Sequence, residues 1–123
     1  MNLDLNKYEI TLLEGWEDIY KKAQLTLWIL LALKDSPKAM ADIKAFIQQR
    51  TNNTITADDK SMYRALRRFK DADIVSFVAE SSASGPDKKV YSLSITGGRL
   101  LQAFLHRNVH SVLLADGNAG LFS

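Results

Sequence analysis

Apolar residues recur along most of this chain at steps of three and four, the spacing of one helix face, and over two short stretches the step changes to two. Trp16, Ile19, Tyr20, Ala23, Leu27, Leu30 and Leu31 follow the first rule and predict one long helix over 11–33. Thr11-Leu12-Leu13-Glu14 has the spacing of a capping box at its start, where a hydroxyl takes one free N–H and a carboxylate reaches back to another. Residues 1–10 read as mostly irregular. Pro37 disfavours helix in the residue before it, so the first helix stops short of it. Ser36-Pro37 then reads as the N-cap and first position of a second helix. Met40, Ile43 and Ile47 form its stripe, Phe46 widens it, and Asn52-Asn53 break the pattern after Arg50.

Thr56-Ala57-Asp58-Asp59 opens a third helix over 57–72, with Thr56 as cap and both acids at the positive end of the helix dipole. At about 100° per residue, Met62, Leu66 and Phe69 gather on one side of it, with Ala65 beside them. Lys60, Arg64, Arg67 and Arg68 gather on the other side, with Ser61 and Tyr63 at the margins. The period then shortens. Residues 74–80 (IVSFVAE) are rich in β-branched and aromatic types, and 90–95 (VYSLSI) alternate with Tyr91, Leu93 and Ile95 on one face. Gly85-Pro86-Asp87 marks a turn inside the polar stretch 81–89, so the two runs predict a hairpin. A last helix over 98–115 follows from Leu100, Leu101, Phe104, Leu105, Val109, Val112 and Leu113, and the glycine-bearing tail 116–123 has no pattern and reads as flexible.

Three helices, a hairpin and a helix predict an α+β, mostly α, class. The layout is that of a winged helix-turn-helix, three helices and a two-stranded wing, with a long C-terminal helix left for dimerisation. In that architecture the third helix enters the major groove and the wing lies against the flanking backbone. The cationic face falls on that same helix. The expected division is an acidic segment with the start of the first helix over 1–23, a DNA-binding domain over 24–97, a dimerisation helix over 98–115 and the tail.

Composition narrows the alternatives. A chain of 123 residues, 46% hydrophobic and 24% charged, fits one ordinary globular domain. The absence of cysteine excludes a disulfide framework, a thiolate metal site and a cysteine nucleophile. The net charge of +2 conceals a segregation: residues 1–20 carry Asp4, Glu9, Glu14, Glu17 and Asp18 against Lys7 alone, while Lys60 to Lys70 hold five bases and no acid. A patch of that kind attracts polyanions, unless it is simply a solvated helix face. The apolar run 25–33 spans nine residues where a membrane helix needs about 20. With an acidic N-terminus and no signal-peptide pattern, the expected location is cytoplasmic.

The candidate chemistry is therefore recognition of double-stranded DNA. Arg64, Arg67, Arg68 and Lys60 can fork onto guanine or hold phosphate. Ser61 and Tyr63 are candidate phosphate donors, with packing of Tyr63 against the second helix as the alternative. Lys88 and Lys89 can reach DNA from the wing, or serve only to protect a sheet edge. His106 and His110 share a helix face but have no third ligand in view, so no metal and no cofactor is expected. No phosphate-binding glycine loop or catalytic triad is present, so no enzyme is expected. The surplus apolar surface of the first and last helices calls for a second copy: Trp16, Tyr20, Leu27, Leu101, Phe104, Leu105 and Val112 are the interface candidates. Trp16 and Trp28 read first as core and dimer packing, with Trp28 also a candidate wall for a flat aromatic effector between subunits. The rival reading is a winged helix that binds protein rather than DNA.

Three stretches resemble the PadR family of bacterial regulators. They are Leu30-Leu31-Ala32-Leu33 with Ser36-Pro37 and Asp42-Ile43; Met62-Tyr63-Arg64-Ala65-Leu66-Arg67-Arg68-Phe69; and Lys89 to Gly97 (KVYSLSITG). Together they cover about residues 24–101. Met40-Ala41 stand where that family usually has Gly-Tyr, Asp73 where it has Gly after the recognition helix, and Ser94 where it has a wing-strand Thr. The resemblance implies a homodimeric repressor joined through its first and last helices, and a small-molecule effector. It also adds Phe104, nearest to the last-helix aromatic with which related regulators bind flat drugs, to Trp28 as a ligand-binding candidate.

Overall fold

The computed structural model describes residues 4–123; the first three residues of the expected acidic segment lie outside the described residues. The chain runs α1 (Lys7–Asp35), β1 (Lys38–Ala39), α2 (Met40–Arg50), α3 (Asp59–Asp71), β2 (Val75–Glu80), β3 (Lys88–Leu93) and α4 (Ile95–Leu105). A π-helical segment (His106–Leu113) and a 3-10 segment (Asp116–Phe122) complete it. The class is the expected one, a mostly helical α+β winged-helix fold around a small antiparallel sheet of order β1-β3-β2.

The boundaries differ from the sequence expectations for identifiable reasons. Helix α1 begins four residues early because Asn6 and Glu9 form the capping box: the Asn6 side chain accepts from the Glu9 N–H at 2.8 Å and Glu9 accepts from the Asn6 N–H at 2.9 Å. Thr11 sits inside the helix and donates to the Lys7 carbonyl. Ser36 does not cap α2. Lys38 and Ala39 remain extended and pair with Tyr91 and Val90 as a third strand. Helix α2 then starts at Met40 with no side-chain cap. Lys38 closes α1 instead, its ammonium donating to the Ala32 carbonyl and the Asp35 carboxylate, both at 2.8 Å. Helix α3 starts two residues late, capped by Asp58 rather than Thr56.

One core joins the C-terminal half of α1 to α2, α3 and the sheet. Ile29, Ile43 and Met62 are fully buried in it, with Ala32, Leu33, Ile47, Leu66, Val75 and Tyr91 around them. Each large side chain sequestered there contributes about 1.5–3 kcal/mol. Ile95 is not on the strand face predicted for it; it opens α4 and is exposed. Ser94 caps α4: its hydroxyl accepts from the Gly97 N–H at 2.9 Å and points back at the Asp73 and Ile74 carbonyls. Gly97 is required there because a Cβ would strike the Ile74 carbonyl. The last helix was expected to continue as one piece to residue 115, but it turns π-helical at His106. Beyond it the tail forms a 3-10 turn, with the Asn118 amide donating to the Val112 carbonyl at 2.7 Å.

Candidate nucleic-acid interface

Helix α3 is held rigidly at both ends. At its start the Asp58 carboxylate accepts from the Ser61 N–H at 2.7 Å, and this backbone bond holds the carboxyl below its ordinary value. The Asp59 carboxylate pairs with Lys44 of α2 at 2.7 Å. At its end Asp73 adopts φ 58°, and the N–H groups of Asp73 and Ile74 bond the Lys70 and Phe69 carbonyls. That is a Schellman stop, and a left-handed residue is what glycine usually supplies there. Met62, Ala65 and Leu66 turn into the core, so the opposite side, with Lys60, Tyr63, Arg64, Arg67, Arg68 and Lys70, is exposed.

The charge on that side is not internally neutralised. Among the described residues the ion pairs join Lys21 to Glu17, Lys22 to Asp18, Lys38 to Asp35 and Lys44 to Asp59. None involves a cation of α3 or of the wing. An open cleft of about 660 Å³ separates α3 from the sheet. Helix α3 lines it with Lys60, Tyr63, Arg64, Arg67 and Lys70, and the sheet with Phe77, Lys89 and the buried Tyr91. Burial raises the Tyr91 phenol above its ordinary value, and the neighbouring Tyr63 adds to the effect. Tyr63 is 56% exposed and belongs to this cleft.

Not every candidate joins the cleft. Arg68 shares a shallower hollow with Arg64, Arg67 and Asp71. Ser61 is half-buried in a different depression, with Lys21 and Lys22 of α1. Lys88 and Lys89 stand at the start of β3 rather than in the loop, and Lys88 lies opposite Glu80. Two cleft residues were missed as candidates. Lys70 follows Arg67 by three positions on the same helix face, a spacing already visible in the basic run. Phe77 reads as a strand core residue; only the fold shows its ring beneath two lysines.

The candidate contacts elsewhere separate cleanly. Trp16 is 72% exposed, and Tyr20, Phe104 and Val112 are exposed too, while Leu27 and Leu105 are half-buried. Leu101 is 2% exposed and packs within the protomer, at the floor of a groove. A small apolar groove of about 180 Å³ runs between α1 and α4, lined by Ala23, Leu27, Leu30, Leu100, Leu101 and Phe104. Trp28 is not part of it. Its indole packs against the core and donates to the Gln24 amide oxygen at 3.2 Å. His106 and His110 are exposed in the π-helical segment, and among the described residues no group of three metal-ligating side chains assembles. No helix among these residues is long and apolar enough to cross a membrane.

Comparison with known proteins gives the family. A regulator of the PadR family from Eggerthella lenta superposes with a TM-score of 0.71 at 16% identity, covering 96% of this chain and 98% of its own. A transcriptional regulator from Clostridium thermocellum gives 0.64 at 13% identity, over 72% of this chain and 85% of its own. Bacillus subtilis PadR in complex with operator DNA gives 0.62 at 23% identity over 68% of this chain, and the match spans 49% of the PadR chain, about half its length. At such identities the likeness is one of fold. No curated protein matches the chain. Residues 29–103 match the transcriptional regulator PadR-like family, which covers the core, the cationic helix and the wing, and the chain belongs to that family of transcriptional regulators.

Proposed function

We propose that this chain binds double-stranded DNA in a sequence-specific way and represses transcription as a homodimer. The observation that carries the reading is the face of α3: Arg64, Arg67 and Lys60 stand exposed beside an open cleft, with no carboxylate paired to them among the described residues. Helix α3 enters the major groove, where arginine forks onto guanine, and the wing loop 81–87 with Lys88 and Lys89 lies on the flanking backbone. Arg68 adds its charge to the same face, in a hollow shared with Arg64 and Arg67. The operator complex of the related Bacillus subtilis PadR supports this placement by fold.

The dimer forms through the exposed apolar ends of the first and last helices, Trp16 and Tyr20 from one side and Phe104 and Val112 from the other. The groove beside Phe104, at about 180 Å³, falls below the roughly 300 Å³ of a small-molecule pocket. It fits an apolar side chain of the second copy, and an aromatic effector requires a site that the two subunits complete together. The test is fluorescence anisotropy with a labelled duplex from upstream of the protein's own gene beside a scrambled one, at low and near-physiological salt. Retention of the native duplex with release of the scramble supports specific regulation. Equal release of both at physiological salt overturns sequence specificity, and no binding at low salt overturns DNA binding in favour of a protein-interaction module.

A further inference from the structure

Phe77 occupies the middle of β2, directly opposite Tyr91 in the ladder. The two rings lie 5.6 Å apart, centroid to centroid, tilted by 53°. Tyr91 is buried, so one side of the Phe77 ring is fixed by packing. Two ammonium groups approach the same ring. Lys89 Nζ stands 4.8 Å from its centroid and Lys70 Nζ 5.6 Å. One comes from the wing strand and the other from the last turn of α3, and both line the cleft between those elements.

Holding two lysines at one ring restricts both of them. Two like charges are brought to one ring, and neither belongs to an ion pair among the described residues. Asp71 is the acid lining the cleft, and it pairs with neither. A free surface lysine also keeps more rotamer freedom than one held over a ring. The gain is preorganisation: lysines already in place lose less entropy when an anion arrives. We infer that Phe77 is a positioning residue for DNA binding, holding Lys70 and Lys89 as a phosphate grip on the strand that passes between α3 and the wing. The inference rests on the DNA-binding reading above.

The experiment measures the slope of log K against log salt for a labelled duplex two helical turns long and of arbitrary sequence. The proteins are the parent, Lys70→Ala, Lys89→Ala, Phe77→Leu, Phe77→Tyr and the double variant Phe77→Leu/Lys89→Ala. Each lysine variant is expected to melt like the parent and to lower the magnitude of the slope by up to about one, the share of one phosphate contact. Phe77→Leu is expected to weaken binding several-fold and to make the added loss of Lys89 nearly silent, while Phe77→Tyr restores the parent's affinity and slope. Should Phe77→Leu melt out, Phe77→Met keeps the bulk without the ring and carries the same comparison. Parent-like affinity and slope in a folded ring-less variant overturn the positioning role while leaving DNA binding intact, as does full additivity with Lys89→Ala. A parent protein that fails to bind duplex at low salt overturns the functional reading and the grip together.

Discussion

Both halves of helix α1 carry large apolar residues, and they meet opposite fates. Between Leu25 and Leu33, Ile29, Ala32 and Leu33 are buried in the core, and Leu25, Trp28 and Leu30 pack against it. From Tyr8 to Tyr20 the helix keeps Leu12, Leu13, Trp16 and Ile19 exposed among Glu9, Glu14, Glu17 and Asp18. Hydrophobic burial is non-directional, so the apolar periodicity common to both halves does not say what covers each. Position does: the sheet, α2 and α3 gather around one half, and the other extends past them. The lesson is that apolar periodicity reports a face to be covered, and the covering element is either within the chain or on another copy.

The largest expected effect breaks the closed half. Ile29→Ala should lose about 2–5 kcal/mol of folding stability, since the side chain is fully buried in the core. Denaturant titration at fixed protein concentration reads it directly. The matching change in the open half, Trp16→Ala, should leave a dilute protomer's melting curve nearly unchanged. It should weaken self-association by at least about tenfold, in the range of a buried aromatic at an interface. Sedimentation across a concentration series checks this, and an Ile29-like collapse of the protomer would show that Trp16 belongs to the core instead.

Smaller changes sharpen the same contrast at the joints of the closed half. Ser94→Ala removes the cap of α4 and its bond back to the end of α3, and should cost about 1–2 kcal/mol. Asp73→Gly relieves a left-handed residue at the Schellman stop and should raise stability by up to about 1 kcal/mol with DNA affinity unchanged. The pH response is smaller still. Lys38 lowers the Asp35 carboxyl, and the Ser61 backbone N–H lowers that of Asp58, each from an ordinary value of 3.8. The folded state therefore binds these protons less readily than the unfolded one. Their contribution is complete above that ordinary value and drains away as pH falls through the lowered folded values. Melting of Asp58→Asn against pH should show a shallower acid decline than the parent.

Much of the fold was legible because the apolar stripes of α2 and α3 and the alternation of β3 each follow one period. The caps were less so, because several residues compete for each helix start: Asn6 with Thr11, and Asp58 with Thr56. The third strand was hidden since Lys38 and Ala39 become a strand only by pairing with Tyr91 and Val90, far along the chain. The change to π-helix at His106 has no side-chain signature in the sequence. Within the site, the cationic face of α3 was readable from spacing alone. Leu101 and Trp28 pack chiefly within the protomer, which periodicity does not disclose because it does not say which neighbour covers a residue. Phe77 was missed because its meeting with Lys70 and Lys89 depends on the approach of the wing to α3, whereas Lys70 itself was readable from its spacing in the basic run.

The central claim is that the cationic face of α3 is reserved for DNA, as the open half of α1 is for a second copy. It is tested most directly by titrating Arg64→Ala/Arg67→Ala against the duplex from upstream of the gene, beside the parent, with melting curves for both. The account predicts an unchanged melt, because both arginines are exposed and unpaired among the described residues, and a loss of roughly 1–3 kcal/mol of binding per base-reading arginine. A folded double variant that binds as tightly as the parent would contradict it.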